Sequence, residues 1–137
     1  MMTRLFLDPF TGCLFTQIAR RAPRKAPVNA QVEQWRAQAK QTLPPRLAQL
    51  AARHGFHYNK VFIKNNVSNW GSCSSLKNIN LNLRLVTLPQ ELQDYVMLHE
   101  LCHLQYLNHG RAFHQLLESV CPGHRELARQ MKAYKIK

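Results

Sequence analysis

The cleanest pattern in the chain is Ile79-Asn80-Leu81-Asn82-Leu83-Arg84-Leu85, where apolar and polar side chains alternate without a slip. A period of two puts the four apolar residues on one face and Asn80, Asn82 and Arg84 on the other. This predicts a strand with one buried and one wet face. Phe56 to Lys64 reads as a second strand. From Asn29 to about His54 the composition is helical, with apolar stripes at Val32, Trp35 and Ala39, then at Leu47, Leu50 and Ala51. Pro44-Pro45 removes two backbone donors midway, so this stretch predicts two helices, the second ended by Gly55.

Thr87-Leu88-Pro89-Gln90 predicts a helix start, with Thr as cap, an early Pro, and Gln three residues after the cap. Glu91 and Asp94 lie near the positive end of its dipole. The helix then turns apolar nearly all round, through Val96, Met97, Leu98, Leu101, Cys102 and Leu104, which predicts burial. A shorter helix is predicted from about Arg111 to Val120, stopped by Pro122-Gly123, and a basic helix runs to the C-terminus.

Residues 1–27 read as an N-terminal arm, and 28–137 as the folded domain. In the arm, Leu5-Phe6-Leu7 and Cys13-Leu14-Phe15 flank a turn signal and predict a hairpin. Arg20 to Pro27 is basic and Pro-rich, an exposed connector. The 137 residues suit one domain, and 45% apolar content suffices for a modest core. No apolar run reaches the roughly 20 residues of a membrane-spanning helix, and no signal peptide is apparent. Cys13, Cys73, Cys102 and Cys121 form no C-x-x-C pair, so they read as reduced thiols of a cytoplasmic protein.

The candidate chemistry lies on the predicted buried helix, in His99-Glu100-Leu101-Cys102-His103. Residues four apart share a helix face, about 6 Å apart along the axis. Two imidazoles so placed can bind one Zn²⁺. Glu100 points elsewhere and can reach an attacking water without ligating the metal, as a general base must. A lone buried glutamate is costly without a partner, so three such residues in one buried turn ask for a reason. A third ligand is required. His109 is the best candidate, but on a continuous helix it would be rotated about 240° from His103. It reaches the metal only if the chain turns first, and Asn108 and Gly110 permit a helix end there. His114 and Glu118, which share the polar face of the next helix, are the alternatives.

Several segments occur together in a fixed order: Trp70-Gly71-Ser72-Cys73, Asn78-Ile79-Asn80-Leu81-Asn82, Asp94-Tyr95-Val96, His99 to Leu104, and Asn108-His109-Gly110-Arg111-Ala112-Phe113. In these the chain resembles the YgjP-like metallopeptidases, relatives of the SprT-like zinc proteases, over roughly residues 30–130. The resemblance implies an α+β fold: a small zincin-like domain with N-terminal helices, a short antiparallel sheet, a buried active-site helix carrying the HExxH motif, and C-terminal helices. It implies His99, His103 and His109 as zinc ligands, Glu100 as the catalytic base, and the Ile79–Leu85 strand bordering the cleft. Asn69, Gly110 and His114 depart from residues common in the family. The implied function is zinc-dependent hydrolysis of peptide bonds by a water that the metal and Glu100 activate.

Charge adds a partner class. Lys and Arg outnumber Asp and Glu 19 to 7, and ten of the basic residues lie in the first 60. This excess outside the metal segment suits a nucleic-acid-facing surface, although no helix-turn-helix, zinc-finger or RNA-recognition signature is present. Two further readings stay open: a metal-dependent phosphohydrolase acting on nucleotides, and a nucleic-acid-binding module with a structural zinc. Three protein ligands favour catalysis, and a fourth from His114 or Glu118 would favour structure. For the oxyanion, Tyr95, Tyr106 and His114 are the candidates.

Overall fold

The structure, a computed structural model, describes residues 29–136. The hairpin and basic connector expected within residues 1–27 lie outside the described residues. Helix α1 spans Ala30–His54. Asn29 caps it, its side-chain oxygen accepting from the Val32 amide at 2.9 Å. Gly55 ends it in the left-handed region, at φ 76°.

Two helices were expected here, and one is found, running through Pro44 and Pro45. The reason is the buried stripe Ala39, Leu43, Leu47 and Leu50, which crosses the prolines at helical spacing. Leu43 and Leu47 are fully buried on either side of the pair, so core packing holds both halves on one axis. Lys40 and Gln41, whose carbonyls lose their donors to the prolines, are solvent-exposed. Arg46 then ties the helix to the metal segment, donating to Asp94 at 2.9 and 2.7 Å.

The sheet has three strands: β1 (Val61–Lys64), β2 (Gly71–Cys73) and β3 (Ile79–Asn82), in the order β1-β3-β2. β2 pairs antiparallel with β3, Gly71 opposite Leu81, through a turn in which the Ser74 hydroxyl accepts from Leu76 and Asn78. β1 pairs parallel with β3, Val61 beside Ile79. The sheet is therefore mixed rather than wholly antiparallel. The hairpin claims one edge of β3, and the chain before it must take the other edge through a crossover. β3 is the central strand, flanked on both sides, and β2, with β3 beside it, packs against the HExxH helix.

The alternating run does not stay extended as far as Leu85. The Asn82 side chain accepts from the Arg84 amide at 2.9 Å, which turns the chain into a 3-10 turn over Leu83–Thr87. Ile79, Leu81, Leu83 and Leu85 are all buried, as the alternation predicts. The opposite face is not wet, however: Asn82 and Arg84 are buried too. The loop between β1 and β2 covers them, and Asn82 donates to the carbonyls of Asn66 and Asn69, both at 2.9 Å.

Helix α2 spans Gln90–Cys102, α3 Arg111–Val120 and α4 His124–Met131. Thr87 does not cap α2; its hydroxyl closes the 3-10 turn by donating to the Arg84 carbonyl at 2.7 Å. α2 is buried on every side from Tyr95 to Cys102, between α1, the sheet and the C-terminal helices. The α+β class and the small zincin-like arrangement expected from the sequence are thus present. Cys73, Cys102 and Cys121 are free thiols. No described helix is long and apolar enough to cross a membrane.

Candidate metal centre

His99 and Glu100 stand in the last turn of α2, both wholly buried. The helix ends at Cys102, where amides of His103 and Leu104 bond three residues back instead of four. This tightening stops the helix earlier than Asn108 or Gly110 would. Gly110, at φ −81° and ψ −171°, instead opens α3. Residues 104–110 form the predicted bend, and it returns His109 to the first two histidines.

The three rings form a triangle. Ring centroids of His99 and His103 are 4.9 Å apart, those of His99 and His109 5.1 Å, and those of His103 and His109 4.8 Å. One ring nitrogen from each can be chosen so that all lie within 4.8 Å of one another. The Nε2 atoms of His103 and His109 are 3.1 Å apart. Two nitrogens about 2.05 Å from a tetrahedral Zn²⁺ would be about 3.3 Å apart.

The orientation of His103 is set locally. Its Nδ1 lies 2.9 Å from the Tyr106 carbonyl, which can only accept, so Nδ1 carries the proton and Nε2 the lone pair. Phe113 fills the space behind the rings. It is fully buried, stacked on His103 at 4.5 Å and edge-on to His99 and His109 at 5.0 and 4.9 Å. Tyr95 supports His99 edge-on at 6.0 Å.

Glu100 points toward β2. A Cβ placed on Gly71 would lie 3.2 Å from the Glu100 Cγ, so glycine lets the strand pass this close without displacing its neighbours. Both carboxyl oxygens are buried without a hydrogen-bond partner, and the nearest basic atom is His99 Nδ1 at 3.5 Å. Burial pushes the Glu100 carboxyl well above its usual range. Burial, then the neighbouring His103 and His109, holds His99 well below the usual imidazole value.

His114 and Glu118, the alternative ligands, do not join the triangle. His114 is 6.4 Å from His109 by ring centroid and stacks on His124 at 5.8 Å. Glu118 faces His124, its oxygen 3.4 Å from Nε2. Of the oxyanion candidates, Tyr95 is fully buried and Tyr106 is exposed. Sequence reasoning gave no role to Phe113, to the Tyr106 carbonyl or to Gly71. Phe113 was detectable as the large apolar residue four past His109, but backbone carbonyls leave no signature in a sequence.

A sequence profile of the YgjP-like, metallopeptidase domain matches residues 12–134. Among solved structures the chain is similar to the metallopeptidase zymogen of Pyrococcus abyssi abylysin. Identity is 26% and the TM-score 0.56, over 64% of this chain and 90% of that one. No curated protein matches. The profile takes in α2, the returning loop and α3, the same elements that bring the three histidines together, and on that match this chain belongs to the YgjP-like metallopeptidase family.

Proposed function

We propose that the protein is a zinc peptidase in which His99, His103 and His109 hold the metal and Glu100 is the general base. The 3.1 Å approach of the His103 and His109 Nε2 atoms carries this reading. Three imidazoles are a donor set that zinc favours, and the orphaned Glu100 oxygens are those of a buried acid awaiting a partner. Zinc, when bound, would acidify a water and polarise the scissile carbonyl.

The chain's own residues do the rest. The Tyr106 carbonyl holds His103 in one tautomer, and Phe113 packs against all three rings and orients them. Glu100 takes the proton of the attacking water and returns it to the leaving amine. A nearby cation would reverse the effect of burial on Glu100 and favour its carboxylate. An extended peptide can add along the outer edge of β2, next to Glu100, through main-chain hydrogen bonds. Among the described residues no fourth His, Cys, Asp or Glu completes the cluster, which supports a catalytic over a structural metal.

Purified protein is expected to hold close to one zinc. His99→Ala and His103→Ala lose it, while Glu100→Gln keeps it and loses peptide hydrolysis by at least about a hundredfold. Metal-free wild type of normal yield, or full activity in Glu100→Gln, would overturn the assignment. Offering unstructured proteins and nucleoside triphosphates side by side separates peptidase from phosphohydrolase.

A further inference from the structure

A cavity of about 460 Å³ lies between α1, the 3-10 turn and the C-terminal residues, and no histidine lines it. The residues that give it chemistry are Trp35, Trp70, Arg84, Thr87, Tyr134 and Lys135. None of them belongs to the metal cluster. The volume falls in the range of small-molecule sites, roughly 300–1,000 Å³.

The lining is rich in donors and lacks any acid. Arg84 is 3% exposed, and its Nη1 donates to the Asn65 side-chain oxygen at 2.8 Å and to the Asn66 carbonyl at 3.4 Å. Both acceptors are neutral. Its Nε is buried with no hydrogen-bond partner, and no carboxylate among the described residues pairs with the guanidinium. Trp70 is 1% exposed, and its indole N–H is likewise buried without a partner. Two orphaned donors, one of them cationic, thus line one cavity. Lys135 adds an ammonium and Thr87 a hydroxyl.

A buried cation that meets only neutral acceptors is an unfinished arrangement. Desolvation lowers the pKa of Arg84, in keeping with a charge that lacks its counter-ion. The aromatic walls add a second requirement. The Arg84 guanidinium lies over Trp35 at 5.7 Å; Trp35 is half-buried and Tyr134 exposed, so both rings have a face that can flank a flat body.

We propose that this cavity binds a small organic anion, a carboxylate or phosphate carried on a planar ring. The anion accepts from Arg84 and Trp70, and the ring lies among Trp35 and Tyr134. The site is independent of the metal centre, and its test needs no turnover.

The chain has two tryptophans, and both line the cavity, so intrinsic fluorescence reports its occupancy. Full-length protein is titrated with benzoate, phenyl phosphate, inorganic phosphate and neutral benzyl alcohol. Saturable change with benzoate or phenyl phosphate, and none with benzyl alcohol, is expected; whichever of the two anions binds tighter names the headgroup. Inorganic phosphate binding as tightly as phenyl phosphate would refute the ring requirement. No saturation with any anion would refute the site.

Arg84→Met is expected to weaken binding at least about tenfold, the worth of a charge-assisted hydrogen bond. Removing an uncompensated buried charge should leave its unfolding temperature equal or raised. If that variant does not fold, Lys135→Glu, at an exposed position, decides: it should bind severalfold more weakly with unchanged unfolding. Unchanged affinity in Lys135→Glu would remove the anion requirement.

Discussion

Gly71 offers a prediction whose size follows from distances. Its position is buried where β2 crosses α2, and a Cβ there would meet the Asn80 carbonyl oxygen at 3.2 Å, the Glu100 Cγ at 3.2 Å and the Val96 Cγ1 at 3.3 Å. Carbon contacts are favourable at about 3.5–4.0 Å, so each neighbour must give way by a few tenths of an ångström. One neighbour is backbone of the central strand and cannot swing aside, and the other two belong to a helix buried on all sides. Overpacking of this kind costs about 1–3 kcal/mol. Gly71 does not have a positive φ, so alanine also narrows the unfolded ensemble, returning about 0.4–1 kcal/mol. The net loss for Gly71→Ala is then up to about 2.6 kcal/mol, centred near about 1.3 kcal/mol. Unfolding entropy of about 2.1 cal/mol/K per residue converts this to a fall in Tm of about 4 to 5 °C at the centre and about 9 °C at most. Circular dichroism on heating measures it, and Gly71→Val should fall further. None of the atoms met belongs to a histidine, so on the assignment proposed above metal content should hold while displacement of Glu100 lowers turnover about tenfold. An unchanged Tm with full turnover would show that β2 can lift off α2 freely, and the close approach would then have no functional meaning.

Four further outcomes are expected. Pro45→Ala should raise stability in urea by about 1–2 kcal/mol, because an interior proline costs about 3 kcal/mol and part of that is recovered through the unfolded chain; a loss would mean the proline ring itself is used in packing. A double-mutant cycle on Arg46→Ala and Asp94→Asn should show coupling of about 1 kcal/mol that shrinks in 1 M salt, since the pair is bidentate but partly exposed. Burial pushes the Cys73 thiol up to about 12 and the Cys121 thiol up to about 11. In a Cys13→Ala background, iodoacetamide at pH 8 should therefore label native protein far more slowly than denatured protein. The same shifts fix a sign: above about pH 8.5 the unfolded chain releases thiol protons that the folded one keeps. Stability is full below that pH and falls as pH rises toward 11–12; a flat urea midpoint from pH 8.5 to 10.5 would contradict the buried placement.

The metal segment was legible because it breaks a rule at consecutive positions. Polar residues inside an otherwise apolar helix are costly unless they share a purpose, and the four-residue spacing names one. α3 was legible from Pro122-Gly123 and its own periodicity. Sheet topology was not, since a strand pattern reports which face is buried and says nothing about which neighbour it pairs with or in which direction. The proline pair misled because a local rule about missing donors was outweighed by a stripe extending over 20 residues from Val32 to Ala51, which only tertiary packing reveals. The Tyr106 carbonyl that orients His103 could not be foreseen, because any residue would present the same atom.

The most instructive failure lies on the supposed wet face of the alternating run. Asn82 and Arg84 are both buried there, yet they differ in kind. Asn82 is satisfied by bonds to Asn66, Asn69 and the Arg84 amide, and its burial explains how the chain leaves the strand and how the β1–β2 loop is held. Replacing it would unravel local structure, which is reason enough for its presence. Arg84 has no such account. Two neutral oxygens occupy one end of its guanidinium, its Nε has none, and an apolar residue of similar length would pack against Trp35 without the desolvation cost. Departures from local rules that structure fully compensates are architectural, whereas those left uncompensated gather at functional sites. By that criterion Arg84 belongs with Glu100, another described side chain that is buried, can carry charge and has an unpartnered oxygen or nitrogen, and each lines a place where something from outside the chain can complete it.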